Sequence, residues 1–325
     1  MTNFNAWVAL TTAASVLSAC AAEPSQVEQS PVENGSVATM VEPLLAANID
    51  EFVASVSNLT VRVPKRFNVP YTGAAAAEFP NGLPLSIGSG LRRIHGGPWL
   101  TFVGLTDRGP NGDAPDYLDA TGTTHSTKAF LTAAFNPELV TIEVLPFFGP
   151  TVTSTTRLRL DHAPVNGIPL SNFSPEVALT EQLTAIPASP VGFDTEGIDF
   201  DAWGNAWLCD EYGPSLLKVN PRSGEILQLL RPGAGLPTIL ASRQASRGFE
   251  GVAVSPNGKI YGLIQSTLDI RGSTKGKAQF IRMVEYDPRR GTTRMFAYPH
   301  DLSEYAKSGD AKLGDLIAVD NEHFL

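Results

Sequence analysis

The chain has 325 residues, 42% of them hydrophobic, which is enough to bury a sizeable core and excludes disorder of the whole. A formal net charge of −9 argues against non-specific binding to nucleic acid or to an anionic membrane face, while anionic substrates stay reachable through metal ions. The 29 glycines and 25 prolines suit many short strands joined by turns better than a helical protein.

At the N-terminus an apolar run over residues 7–19 ends in Leu17-Ser18-Ala19-Cys20, which resembles a bacterial lipoprotein cleavage site. The expectation is a signal peptide over residues 1–20, with Cys20 as the lipidated first residue of the mature chain; a simple secretory signal is the alternative. Residues 21–57 begin rich in Glu, Ser, Pro and Gln and read as a flexible tether. The protein is then expected to be exported, periplasmic or anchored to the outer membrane, and to meet the membrane through that lipid alone. Cys209 has no partner once Cys20 is modified, and it reads as a small buried strand residue. Helix-compatible stretches fall near 41–55 and 124–134.

From about residue 58 to 325 the signals are those of strands. EGIDFDAWGNAWLCDE at 196–211 aligns without a gap to EGVAVSPNGKIYGLIQ at 250–265, each reading as strand, turn at Gly204 or Gly258, strand. Phe135-Asn136-Pro137, Val219-Asn220-Pro221 and Tyr286-Asp287-Pro288 each read as the end of a short apolar strand. In the later two the turn closes a third strand onto a fourth. Four strands per unit predict a β-propeller blade, with the loop before the third strand as the variable insertion. A weaker copy runs from Gly90 to Asp107. A last copy begins at Gly314-Asp315 and breaks off at His323-Phe324-Leu325, from which an incomplete last blade and a longer parent protein of about six blades are expected.

Repetition aims acids at a common point. Asp107, Glu196, Asp210, Glu211, Glu250 and Asp315 fall at recurring strand ends, and converging carboxylates repel unless protonated, paired with arginine or neutralised by a metal. Calcium suits an all-oxygen set of flexible geometry. The plainer alternative is that Glu-Gly and Asp-Glu close turns. Arg108 and Arg247 stand beside these acids, either to clamp a phosphate or carboxylate or to pair with the neighbouring acid. No Gly-x-Ser-x-Gly, His-Glu-x-x-His, Walker or dinucleotide pattern is present.

The motifs TDRGPN at 106–111, DTEGID at 194–199, DEYGP at 210–214, RGFEG at 247–251 and GDL at 314–316 together resemble the bacterial phytase-like proteins described as having esterase-like activity of phytase. The resemblance covers roughly residues 60–325. It implies an exported β-propeller that hydrolyses phosphoesters or related esters. On this reading Asp107, Arg108, Glu196, Glu211, Arg247 and Glu250 carry the chemistry and Arg108 and Arg247 hold a small anionic substrate. Asp107, Glu196, Asp210, Glu211, Glu250 and Asp315 supply the ligands of Ca2+, in a monomer. The alternatives are a non-catalytic, calcium-stabilised binding propeller at the cell surface and a gluconolactonase-like lactone hydrolase.

Overall fold

The computed structural model describes residues 60–94, 100–145, 148–170, 176–299, 305 and 307–325. The expected signal peptide, Cys20, the tether and the stretch near 41–55 lie outside the described residues. A compact unit takes in Val61–Leu325.

The fold is all-β. Strands β1 (Gly90–Ile94) and β2 (Thr101–Leu105) pair antiparallel; β3 (Asn111–Asp113), β4 (Tyr117–Leu118), β5 (Thr124–His125) and β6 (Thr127–Phe130) follow in an insertion. Next, β7 (Glu138–Leu145) and β8 (Gly149–Arg157) complete a four-stranded sheet in the order β1-β2-β7-β8. After β9 (Arg159–Leu160) and β10 (Ala163–Pro164), β11 (Val177–Leu179) runs parallel to β6 in a small sheet with β3. The second large sheet is β12 (Thr195–Phe200), β13 (Ala206–Asp210), β14 (Ser215–Val219) and β15 (Ile226–Pro232), with β16 (Gly235–Leu236) on its edge. The third is β17 (Phe249–Val254), β18 (Ile260–Ile264), β19 (Phe280–Asp287) and β20 (Thr292–Pro299).

The repeated sequence is a repeated structure. β12 and β13 start and end 54 positions before β17 and β18, and their turns close alike, with the Asp201 N–H donating to the Asn205 carbonyl and the Ser255 N–H to the Lys259 carbonyl. Asn220 and Asp287 join third to fourth strands as expected, their side chains accepting from the Arg222 and Arg289 amides. Residues 315–325 repeat the opening of a unit, with Ile317 and Leu325 exchanging backbone bonds and the Phe324 ring 4.4 Å from that of Tyr261.

Three expectations are corrected. The stretch 124–134 contains β5 and β6 rather than a helix, because Thr124 and Thr127 favour extended backbone and β4, β3 and β11 supply pairing partners. Phe135-Asn136-Pro137 does not end a short apolar strand: it lies in the loop after β6 and leads into β7, the third strand of its sheet. The first named strand begins at Gly90; earlier described residues make isolated bridges such as Val69–Leu83, since Pro64, Pro70, Pro80 and Pro84 remove ladder donors.

The middle sheet is covered on both faces, so β13 is buried throughout and reads as an apolar run. Its alternate residues divide between two cores: Ala206 and Leu208 pack with Val103, Leu105 and Leu139 of the first sheet, Trp207 and Cys209 with Phe249 and Val252 of the third. Cys209 is buried and free, as its strand context predicts. The opening strands of successive units nearly touch. A Cβ on Gly197 would lie 3.1 Å from the Val252 nitrogen, and one on Gly251 would lie 2.7 Å from the Leu316 nitrogen. The glycine of each Glu-Gly pair is therefore required by spacing. Arg92 of β1 ties these strands together, with Nη1 2.8 Å from Asp315 Oδ2, Nε 3.6 Å from Asp199 Oδ1, and bonds to the Val252 and Leu316 carbonyls.

Candidate functional site

Glu196 and Glu250 owe their direction to backbone defects at matching places. Opposite β13, Thr195 faces Asp210 and Gly197 faces Cys209, which leaves Glu196 as an extra residue; opposite β18, Phe249 faces Ile264 and Gly251 faces Leu263, which leaves Glu250. Each acid thus sits in a β-bulge, a distortion that bends a strand and re-aims a side chain.

Asp194, immediately before β12, is fixed from several directions. Its amide donates to Asp210 Oδ1 at 2.8 Å, its carbonyl accepts from the Glu211 amide at 2.8 Å, and its carboxylate accepts from the Arg108 amide at 3.1 Å. Thr195 Oγ1 donates to the Thr106 carbonyl at 2.7 Å. These bonds gather the segment after β2, the start of β12 and the end of β13. Asp194, Glu196 and Glu211 consequently offer carboxylate oxygens all within 4.8 Å of one another. Among the described residues, Glu250 Oε2 is buried without a hydrogen-bond partner.

Such crowding in a dry site disfavours ionisation. Burial first, then Glu250, pushes Glu211 up to about 7, against the pull of Asp194, Arg108 and Arg243. Burial likewise pushes Glu250 up to about 7, with Gln265 opposing and Asp194 adding. Asp194 and Glu196 are raised well above the usual carboxylate range, chiefly by burial and by their acidic neighbours, and burial raises Asp107 as well.

The other expected site residues have separate duties. Asp210 accepts from the Asp194 and Gly213 amides at 2.8 and 2.9 Å, holding the turn instead of facing the acids. Asp315 is engaged by Arg92, and its Oδ1 also accepts from the Leu316 amide. Arg108 lies 3.1 Å from Glu176 and 3.3 Å from Asp194, beneath the Tyr212 ring, so the guanidinium neutralises buried acids of its own protein. Burial lowers its proton affinity, but Asp194, Tyr212 and Glu176 more than offset this. Arg247 binds Ser266 Oγ and the Gly309 carbonyl. Asp107 lies between Thr106 and Arg108, both bonded to the cluster's strand, with its own Oδ1 accepting from the Gly109 amide at 2.8 Å.

Two participants escaped the sequence reading. Asp194 opens the DTEGID motif two positions before Glu196, and that closely spaced pair of acids was its available signal. Glu176 carries no local signal, because its partner Arg108 is 68 positions away. The donor set of Asp194, Glu196 and Glu211 fits a hard cation because it is all oxygen and crowded.

Strands stacked in sequential sheets around a buried acidic cluster define an all-β protein with a candidate metal centre. The chain belongs to the Phytase-like family, described as having esterase-like activity of phytase, whose family model matches residues 89–325. A relative called an uncharacterized secreted protein, from Arthroderma benhamiae, is 32% identical over 138 residues, covering 34% of this chain and 27% of the relative. The match thus spans about a quarter of that protein's length. Among solved structures, a mutant GH43 protein of Bacillus licheniformis aligns with TM-score 0.31 and 12% identity over 73% of this chain and 35% of its own. Myxococcus xanthus glutaminyl cyclase aligns with TM-score 0.26 and 12% identity over 55% and 69%. At those scores neither structure carries an argument.

Proposed function

We propose that this protein is a metal-assisted ester hydrolase whose site is the cluster of Asp194, Glu196, Glu211 and Glu250 with Asp107 beside it. Its three large sheets are read as consecutive blades of a β-propeller, their opening strands innermost. The observation that carries the function is the convergence of three carboxylates, two buried and one half-buried, within 4.8 Å in a member of a family described by esterase-like activity. Asp194, Glu196 and Glu211 would hold the cation, for which calcium is the natural candidate, with Glu250 and Asp107 completing the oxygens. When bound, such an ion supplies Lewis-acid polarisation and eases ionisation of water.

The chain's own groups do the remainder. Glu250 Oε2 is free to take the proton of an attacking water; the ester bond to the leaving oxygen breaks, and that oxygen receives a proton. Arg108 stabilises the arrangement by balancing Asp194 and Glu176 rather than by holding substrate. Arg92, Asp199 and Asp315 keep the opening strands in place beneath the site.

Export is part of the same reading, supported by the apolar start, the Leu-Ser-Ala-Cys sequence and the secreted relative. Among the described residues, no helix is long and apolar enough to cross a membrane. The activity test is hydrolysis of p-nitrophenyl esters and p-nitrophenyl phosphate by purified protein. Chelation is expected to abolish turnover and calcium to restore it, and Glu196→Gln to lower kcat/KM roughly 100-fold with calcium present. Full rate in chelator, or in Glu196→Gln, would overturn the mechanism.

A further inference from the structure

A cavity of about 330 Å³ has walls that include Val69, Leu83, Pro110, Leu131 and Phe135, with Asp107 among its lining residues. It joins the site through the chain itself. Asp107 is flanked by Thr106, whose carbonyl accepts from Thr195, and by Arg108, whose amide donates to Asp194. Pro84 and Ser86 on the rim are exposed, so the cavity opens to solvent. Phe135 packs against Gly109, where a Cβ would come within 2.3 Å of the ring, so the wall stands close to the Asp107 loop.

The charge of this lining discriminates among substrates. Among the described residues, Asp107 is the one charged residue lining the cavity, and no lysine or arginine lines it. An anionic group entering would meet a carboxylate without compensation, and Arg108, the nearest cation in sequence, is already shared between Glu176 and Asp194. An uncharged hydrocarbon arm meets aliphatic, proline and phenylalanine surface, the usual composition of a small-molecule pocket.

We infer that this cavity receives the uncharged, apolar acyl arm of a carboxylic ester, with the ester group at Asp107 facing the acidic cluster. The inference rests on the hydrolase reading and narrows its substrate class away from polyanionic phosphoesters. The reaction is ordinary hydrolysis: the water oxygen bonds to the acyl carbon, the acyl C–O bond breaks, a proton passes to the alcohol oxygen, and acid and alcohol leave.

The test measures kcat/KM of the full chain with calcium for p-nitrophenyl acetate, p-nitrophenyl butyrate and p-nitrophenyl phosphate, together with equilibrium binding of the non-hydrolysable p-nitrophenyl butyl ether. Butyrate is expected to exceed acetate by roughly fourfold per added methylene and the phosphate by more than tenfold. The ether is expected to bind, and Leu131→Arg to weaken both ether binding and butyrate turnover at least tenfold. Preference for the phosphate, equal rates on acetate and butyrate, or failure of the ether to bind the unaltered protein would overturn the inference while leaving hydrolysis standing. Binding of the ether without turnover of any ester would uphold the cavity's ligand and overturn the hydrolase reading.

Discussion

Glu211 and Glu250 show what burial does to an acid when nearby cations do not offset it. Both normally ionise near 4.5, and in the folded chain both are pushed up to about 7. Between those values the folded state binds more protons than the unfolded one. Their contribution is therefore fully present below about pH 4.5 and is lost as pH rises through about 7. Glu285 behaves oppositely: burial pushes it up, but hydrogen bonds from Arg294, Tyr261 and Lys259 hold it at about 2, so its effect lies at lower pH. Metal-free protein should accordingly lose thermal stability between pH 5 and 7.5, and calcium should raise Tm more at pH 7.5 than at pH 5. A Tm in EDTA that climbs across that window would contradict the assignment.

At the scale of elements, the Glu-Gly pairs do two jobs with adjacent residues. The acid occupies the bulge, and the glycine lets the next unit's strand approach. Gly251→Ala puts a methyl group 2.7 Å from the Leu316 nitrogen and 2.8 Å from its Cβ, so it is expected to destabilise by about 1–3 kcal/mol in urea unfolding. An unchanged midpoint would show that the strands are not held so closely. The hairpins were legible because their turn residues and alternation repeat at a fixed spacing. The bulges were not, since register emerges only when strands pair. For the same reason sequence could not distinguish Asp210 from Glu211, neighbours of which one holds backbone amides and the other joins the acids. The insertion carrying β3 to β6 has no second copy to compare with, and part of it was mistaken for a helix.

Across the whole molecule, the site is a product of long-range assembly. Glu196 and Glu211, which lie together with Asp194, were legible in the sequence as convergent because they recur near strand ends. The diversion of Asp315 was not, since its partner Arg92 lies 223 positions earlier. Among the described residues, Arg92 pairs with Asp199 and Asp315 and Arg108 with Glu176 and Asp194, and the pull of Arg243 and Lys312 on Glu211 and Glu250 does not offset their burial. That imbalance is the physical case for a cation. It is tested most directly by calorimetric calcium titration of the purified protein at pH 7.5, comparing unaltered chain with Glu196→Gln and Asp194→Asn. Saturable binding, weakened at least tenfold by either substitution, is the predicted result; no heat of binding, or equal affinity in all three proteins, would contradict it.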